Sequence, residues 1–150
     1  MRRFEVAKGF DNQGVILPTR ATNGSAGYDI RVLIPNGKPV EIKPFENYIF
    51  NTGIKACMEK DEVLKIYVRS SIGIKRHLIL SNVVPIIDSD YYNNPKNDGH
   101  IMLSVTNISN STQIIENNER IAQGIFVKYL TTDDDNVNKI REGGIGSTNA

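Results

Sequence analysis

The stretch from residue 48 to residue 68, YIFNTGIKACMEKDEVLKIYV, decides the fold class. It is rich in Ile, Val, Tyr and Phe, the β-branched and aromatic residues that favour strands. Its last four residues, 65–68, alternate apolar and polar side chains only partly, which is typical of a strand in a closed sandwich or barrel. We therefore predict strands at residues 48–58 and 63–68.

The same composition recurs on both sides of this stretch, in short runs separated by clusters of Gly, Asn, Pro and Asp. The remaining predicted strands are residues 3–7, 14–17, 29–33, 40–43, 78–81, 101–106 and 121–130. No window shows a long helical period, and the best helical candidate is a single turn at residues 71–75. The pattern predicts an all-β domain of about ten strands, a jelly-roll sandwich or distorted barrel.

The chain has 150 residues, which suits one domain with a sizeable core. Its hydrophobic content of 39% and net charge of +1 describe an ordinary globular protein. Because duplex DNA and RNA binders carry a basic excess, no nucleic-acid partner is expected. Any phosphate must therefore be bound by a few placed groups.

The sequence also indicates a compartment. No apolar run approaches the roughly 18–20 residues of a membrane span, so no membrane partner is expected. The N-terminal MRRFEVAKGF has no apolar segment behind its arginines, unlike a secretory signal. Cys57 is the single cysteine, which excludes an intrachain disulfide and fits a reducing, cytoplasmic location.

The last twenty residues differ from the rest. We divide the chain into a β domain at residues 1–130 and a linker with a C-terminal tail at residues 131–150. The acidic run at 133–135 is typical of a solvated linker. The tail, REGGIGSTNA, is glycine-rich with a cation, Arg141, at its start. It is suited either to closing over an anion or to remaining a frayed terminus.

Four further segments combine groups that bind or activate phosphates. A small-residue turn delivers Asp29 at a strand entry, and a turn at 69–73 offers a guanidinium, two hydroxyls and backbone N–H groups to phosphate oxygens. Two carboxylates and an aromatic end an apolar run at 87–91, and polar groups open the strand at 119–123. Singly, each is also a common turn or loop, so the significance lies in the set and its order.

The order AGYDI, RSSIG, IDSDY, ERIAQ and GGIGST resembles the five motifs of the trimeric dUTP pyrophosphatases, over about residues 17–148. The resemblance implies a β jelly roll that hydrolyses dUTP to dUMP and pyrophosphate with Mg²⁺. It also implies a homotrimer whose active sites are shared between chains, with each tail closing over a neighbouring site.

Residue roles are carried over by this resemblance. Asp88 matches the general base, Arg141 the arginine that reaches the γ-phosphate, and Asp29 the aspartate that holds magnesium through water. Tyr91 matches the aromatic that packs on deoxyribose where a ribose 2′-hydroxyl would sit. The substrate-binding residues that the motifs imply are Arg69, Ser70, Ser71, Asn82, Ile86, Ile87, Tyr91, Met102, Gln123, Ile145, Gly146 and Ser147.

The sequence departs from the family pattern at several positions. Ile145 stands where the tail usually carries a phenylalanine that stacks on uracil, and Pro85 replaces a usual glycine before the pocket. Val68 replaces a common proline ahead of Arg69. Residues 92–98, here called the insert, lengthen the loop after Tyr91.

Two alternatives stay open. The dCTP deaminases share the implied fold and an RSS turn, so a deaminase or a bifunctional enzyme is one alternative. A binding protein that moonlights on a regulatory partner, as some phage members of the family do, is the other. The combination of Asp88, Tyr91 and Arg141 favours the hydrolase, because a pure binder has no need of all three.

Overall fold

The structure is a computed structural model that describes residues 1–146, and these residues form twelve strands, one short α-helix and two 3₁₀ turns. The strands are β1 (Arg3–Val6), β2 (Thr19–Arg20), β3 (Tyr28–Arg31), β4 (Val40–Ile42), β5 (Asn47–Asn51), β6 (Ile54–Cys57), β7 (Glu62–Val68), β8 (Leu78–Leu80), β9 (Ile86–Asp88), β10 (Met102–Asn107), β11 (Gln113–Ile115) and β12 (Arg120–Lys128). The helix α1 is Ser70–Arg76, and the 3₁₀ turns are Pro35–Gly37 and Ser89–Tyr91. The predicted all-β class is confirmed. No helix among residues 1–146 has the length and apolar character to cross a membrane.

The strands form two main antiparallel sheets. The larger has five strands in the order β2-β3-β12-β7-β9, and the smaller has three in the order β5-β10-β8. Two further pairs, β1 with β6 and β11 with β4, complete the arrangement. β9 is an edge strand of the larger sheet. Pro85, just before it, has no N–H, but no further strand lies on the open side of β9 to accept a hydrogen bond from that position.

One hydrophobic core joins the two main sheets. Leu64 and Ile66 of β7 and Leu103 and Val105 of β10 are fully buried in the same cluster. Burial alternates along β10, so that Leu103 and Val105 point inward while Met102 and the intervening residues are only partly buried. The core therefore fixes which β10 side chains remain available on the outer face.

The strand predicted at residues 48–58 is wrong in one respect, because it breaks at Thr52 and Gly53 into β5 and β6. Gly53 has φ of 72°, a left-handed conformation that ends regular pairing. Its N–H donates to Nε2 of the buried His100 at 3.1 Å. β5 then pairs with β10 while β6 pairs with β1, so the break moves the chain from one sheet to another.

The strand predicted at residues 14–17 is also wrong. Gly14 has φ of 73° and lies in a turn, and Pro18 has no N–H for a ladder. After this turn, strand pairing resumes only at β2, which pairs with β3. The helical turn predicted at residues 71–75 is confirmed as α1, which is capped at its C-terminus by His77 in the left-handed region with φ of 53°.

Candidate active site

A cavity of about 590 Å³ opens between the β8–β9 connection, strand β10 and the C-terminal tail. Its volume lies in the range of small-ligand sites, about 300–1,000 Å³. The lining residues are Ile49, Ser81, Asn82, Pro85, Ile86, Ile87, Asp88, Tyr91, Ile101, Met102, Ser104, Arg141, Gly144, Ile145 and Gly146. The structure thus brings together nine of the residues predicted for the site: Asn82, Ile86, Ile87, Asp88, Tyr91, Met102, Arg141, Ile145 and Gly146.

A tight turn between β8 and β9 places the amide of Asn82 at the cavity. Val83 has φ of 64°, and its N–H donates to the Leu80 carbonyl at 2.8 Å. The Pro85 carbonyl accepts from the Ile66 N–H at 3.0 Å, which ties the turn to β7. The turn is therefore a fixed wall of the cavity.

Asp88 and Tyr91 reach the cavity from the end of β9. Asp88 pairs with Val63 in the ladder, and the following 3₁₀ turn carries the Tyr91 ring into the cavity wall, where the residue is 9% exposed. The Tyr91 hydroxyl donates to the His100 carbonyl at 2.6 Å and accepts from Asn97 Nδ2 at 2.7 Å. Burial of the ring raises the pKa of Tyr91, so the hydroxyl stays protonated as a donor.

The tail crosses the cavity of its own chain. Arg141 Nη2 lies 2.6 Å from Asp88 Oδ2, and its Nε lies 2.7 Å from Asp90 Oδ1. Gly144 packs against the Tyr91 ring so closely that a Cβ there would lie 2.8 Å from Cε2. The prediction that the tail closes over a neighbouring chain's site stays a prediction. Ser147, also predicted for the site, lies outside the described residues.

Three predicted residues, Asp29, Arg69 and Gln123, lie elsewhere, on or directly beside the large sheet; together with Arg120 we call them the polar cluster. Asp29 Oδ1 is 3.2 Å from Arg69 Nε, and Asp29 Oδ2 is 3.1 Å from Arg120 Nη1. Asp29 and Gln123 are cross-strand partners on β3 and β12. The carboxylate is nearly buried, with 12% of its side chain exposed, and two cations hold it.

Helix α1 begins directly after Arg69 with two serines. Arg69 precedes the helix in an extended conformation, and its N–H donates to the Ile121 carbonyl at 2.9 Å, which fixes the start of α1 against β12. Ser70 and Ser71 follow in the first turn. Guanidinium, hydroxyl and first-turn N–H groups are the donors that phosphate oxygens accept.

The two groups are separated within one chain. Asp88 lies beside Val63 at the start of β7, whereas the row containing Asp29 and Gln123 crosses β7 at Tyr67. Four residues along a strand and three strand spacings across the sheet correspond to about 20 Å. No residue of the polar cluster lines the cavity that contains Asp88.

The carboxylates do not form a metal cage among residues 1–146, since no group of three or more His, Cys, Asp or Glu side chains converges there. Mg²⁺ often keeps several waters and binds one or two carboxylates together with substrate phosphates. The single Asp29 carboxylate beside phosphate-binding donors fits that mode of binding.

Several residues of the site were missed from the sequence. Arg120 shares Asp29 with Arg69 because a bulge between Arg120 and Ala122 resets the β3–β12 register, a feature with no sequence signal of its own. Asp90 belongs to the IDSDY motif, but its ion pair with Arg141 was not predicted. Ser81 and Ser104 line the cavity through the pairing of separate strands.

Comparisons with known proteins agree on one family. The family model described as dUTPase matches residues 13–149. The deoxyuridine 5′-triphosphate nucleotidohydrolase of Lactococcus lactis subsp. lactis (strain IL1403) is 43% identical over 152 residues, spanning 100% of this chain and 99% of the relative. That of Legionella pneumophila (strain Paris) is 33% identical and spans 88% of this chain and 86% of the relative.

Solved structures support the fold. The crystal structure of a dUTPase from Streptococcus mutans superposes with a TM-score of 0.76 at 39% identity, covering 87% of this chain and 98% of that one. A dUTPase from phage phi11 of S. aureus superposes with a TM-score of 0.72 at 17% identity, covering 93% and 97% of the two chains. At that identity the second match bears on the fold alone, and both agree with the predicted jelly-roll sandwich.

Proposed function

The chain belongs to the dUTPase family, and from that premise we propose that it hydrolyses dUTP to dUMP and pyrophosphate. The observation that carries the proposal is the cavity, which sets the Asp88 carboxylate and the Tyr91 ring against the narrow turn at Asn82. Relatives that span nearly the whole chain bear the matching enzyme name.

The base and sugar of dUTP are proposed to occupy the cavity. The Asn82 amide and the backbone of Ile86, Ile87 and Met102 supply donors and acceptors for the uracil edge. Tyr91 packs on the deoxyribose and leaves no room at C2′ for a hydroxyl. Ile145 covers the base with an apolar side chain, and backbone N–H groups around Gly146 contact the phosphates.

The triphosphate is proposed to bind at the polar cluster. Arg69, Ser70, Ser71 and Gln123 donate to phosphate oxygens, and Asp29 contacts the water shell of a Mg²⁺ carried by the phosphates. When bound, Mg²⁺ neutralises phosphate charge that would repel a nucleophile. A phage phi11 dUTPase structure describes coordination of a structural Mg(II) ion, which supports a magnesium-type cofactor in this fold.

Asp88 is proposed to act as the general base. Its carboxylate accepts a proton from a water that attacks the α-phosphorus in line; the new P–O bond forms as the α–β bridging bond breaks, and pyrophosphate leaves. Arg141 now bonds to Asp88 and Asp90, so this contact has to break before the guanidinium reaches the γ-phosphate. Closure of the tail thereby exchanges a protein carboxylate for a substrate phosphate.

The protein is proposed to work as a homotrimer with shared sites. The separation of about 20 Å between Asp88 and the polar cluster of one chain supports this, since it matches a site completed by different chains. Light scattering should give a mass near three times 16.7 kDa. A fully active monomer would contradict this part of the proposal.

In the cell, this activity would keep dUTP low and supply dUMP for thymidylate synthesis. The direct test incubates the protein with dUTP, dCTP, dTTP and UTP in the presence of Mg²⁺ and identifies the products by chromatography. We expect dUMP and pyrophosphate from dUTP, with little product from the other three. Release of orthophosphate as the first product, or deamination of dCTP, would overturn the proposal.

A further inference from the structure

The insert is a folded loop built around one buried amide. Asn94 is 5% exposed, and its Nδ2 donates to the Tyr91 carbonyl at 2.8 Å. Its Oδ1 accepts from the N–H groups of Lys96 and Asn97 at 3.1 and 3.2 Å. The loop closes at Gly99, where φ is 83° and a Cβ would lie 2.8 Å from the Tyr91 carbonyl oxygen.

The insert is also tied to the body of the domain. Lys55, whose side chain is 11% exposed, extends Nζ to Asn93 Oδ1 at 2.5 Å and to Asp98 Oδ2 at 2.8 Å. The Lys8 N–H donates to the same Asp98 oxygen at 2.8 Å. Although partial burial opposes ionisation, these bonds hold the pKa of Asp98 below its usual value. The insert is therefore anchored at both of its ends.

Between these anchors, Asn97 bonds to the Tyr91 hydroxyl. Asn97 Oδ1 accepts from Asn94 Nδ2 at 2.7 Å and from the Gly99 N–H at 3.2 Å, which fixes the orientation of the amide. Its Nδ2 consequently faces the Tyr91 hydroxyl, at 2.7 Å. Because that hydroxyl donates its own proton to the His100 carbonyl, it needs a donor such as Asn97 on its other side.

We propose that Asn97 is a positioning residue that holds the Tyr91 ring against the sugar, so that the insert sets the discrimination between dUTP and UTP. The inference rests on the proposed function, in which Tyr91 excludes a 2′-hydroxyl. Steric exclusion needs a wall that does not yield, and the two bonds to the hydroxyl prevent the ring from tilting away. Asn97 itself does not line the cavity and acts through Tyr91.

A double-mutant cycle tests this coupling. The readout is the ratio of kcat/KM for dUTP to kcat/KM for UTP. Asn97→Leu keeps the approximate size but removes the donor to Tyr91 together with the acceptor for Asn94 and Gly99. It should lower the ratio about 2- to 13-fold, the range for one lost hydrogen bond to Tyr91. The fall should come mainly from faster UTP hydrolysis. Tyr91→Phe, which removes both bonds of the hydroxyl, should lower the ratio at least as much, and the double variant should fall no further than Tyr91→Phe.

Controls separate positioning from folding. Asn93→Ala removes one of two acceptors of Lys55 but leaves the Tyr91 hydroxyl bonds, so the ratio should stay at the wild-type value. An unchanged ratio in Asn97→Leu, or additive effects in the double variant, would overturn the inference. If Asn97→Leu does not fold, an unchanged ratio in Tyr91→Phe, which keeps the insert, overturns it equally. Failure of the wild-type protein to hydrolyse dUTP would instead overturn the proposed function.

Discussion

Asp88 is half exposed, with 49% of its side chain accessible, and its closest charged neighbour in the chain is Arg141. An ion pair at this exposure contributes little to stability, because solvent screens it. It does keep a cation against the proposed base until a competing anion arrives. In the proposed mechanism the triphosphate supplies that anion, so substrate binding and exposure of the base would be linked.

Asp88→Asn should leave binding of a non-hydrolysable dUTP analogue near the wild-type level and lower turnover by at least about 10²-fold, the usual range for a positioned general base. The amide has the same shape but cannot accept the proton of the attacking water. Calorimetry and steady-state kinetics measure the two effects. Near-normal turnover would assign the base to another residue.

His100 gives the domain a pH dependence of stability. Burial lowers the pKa of His100, and its Nε2 accepts the Gly53 N–H, so folding requires the neutral ring. The unfolded chain binds a proton more readily, so this stability is present above about pH 6.5 and is lost as pH falls below it.

His100→Gln should therefore flatten the decline of the unfolding free energy below about pH 6.5, by at most about 1.4 kcal/mol per pH unit for one proton. Urea unfolding at fixed protein concentration measures the slope. Equal slopes in the wild type and His100→Gln would remove His100 from the account.

At the scale of elements, the break between β5 and β6 positions the site. It allows β5 to pair with β10 beside the cavity while β6 carries Lys55 to the insert. Gly53 makes the break possible, since a Cβ there would lie 2.5 Å from Val15 Cγ2 in addition to the strain of φ at 72°.

Gly53→Ala should cost about 1–3 kcal/mol more than Gly9→Ala, the usual range for overpacking in a filled site. Gly9 is the matched control, because it also has positive φ, 92°, but open space around it. Chemical denaturation with a shared m-value measures both changes. A difference near zero would show that Val15 yields and that only backbone strain matters.

The sequence predicted those elements in which the intrinsic preference of the residues matches the secondary structure that they adopt. β7, β10 and β12 are rich in β-branched residues and were placed within a few residues of their ends. The break at Gly53 was not predicted, because a single glycine within an apolar run does not by itself indicate that the chain passes from one sheet to another. The insert was predicted as a loop from its composition, but its closure around Asn94 depends on side-chain bonds that composition does not specify.

The packing of the tail requires glycine more strictly at residue 144 than at residue 143. A Cβ at Gly144 would lie 2.8 Å from a Tyr91 ring that two hydrogen bonds hold in place, whereas one at Gly143 would meet Lys96 Cδ at 2.4 Å. A lysine stem can change rotamer, so only the first clash resists relief.

Gly144→Ala should lower turnover of dUTP about 10-fold, equal to 1.4 kcal/mol, by preventing full closure. Gly143→Ala should change it by less than about 2-fold, since rotamer shifts of an exposed lysine cost little. Protease cleavage of the tail with a bound analogue should be faster in the first variant than in the second. Equal turnover in both would show that the tail does not pack on Tyr91 during catalysis.

In the molecule as a whole, the two groups of candidate site residues lie toward opposite sides of the large sheet. Its β9 edge bears Asp88, and the β3–β12 side bears Asp29 between Arg69 and Arg120. In the proposed homotrimer, each chain would therefore offer one half of two different sites, and symmetry would supply the partner halves.

If each site takes Asp88 from one chain and Asp29 from another, two inactive variants should complement each other in mixed trimers. Chains carrying Asp88→Asn and chains carrying Asp29→Asn are each expected to be inactive alone, yet trimers assembled from an equal mixture should regain roughly a quarter of wild-type activity, because a site needs one intact half from each of two chains. Unfolding and refolding the two variants together, with each refolded alone as control, measures this complementation. Absence of any recovery in verified mixed trimers would mean that each chain completes its own site.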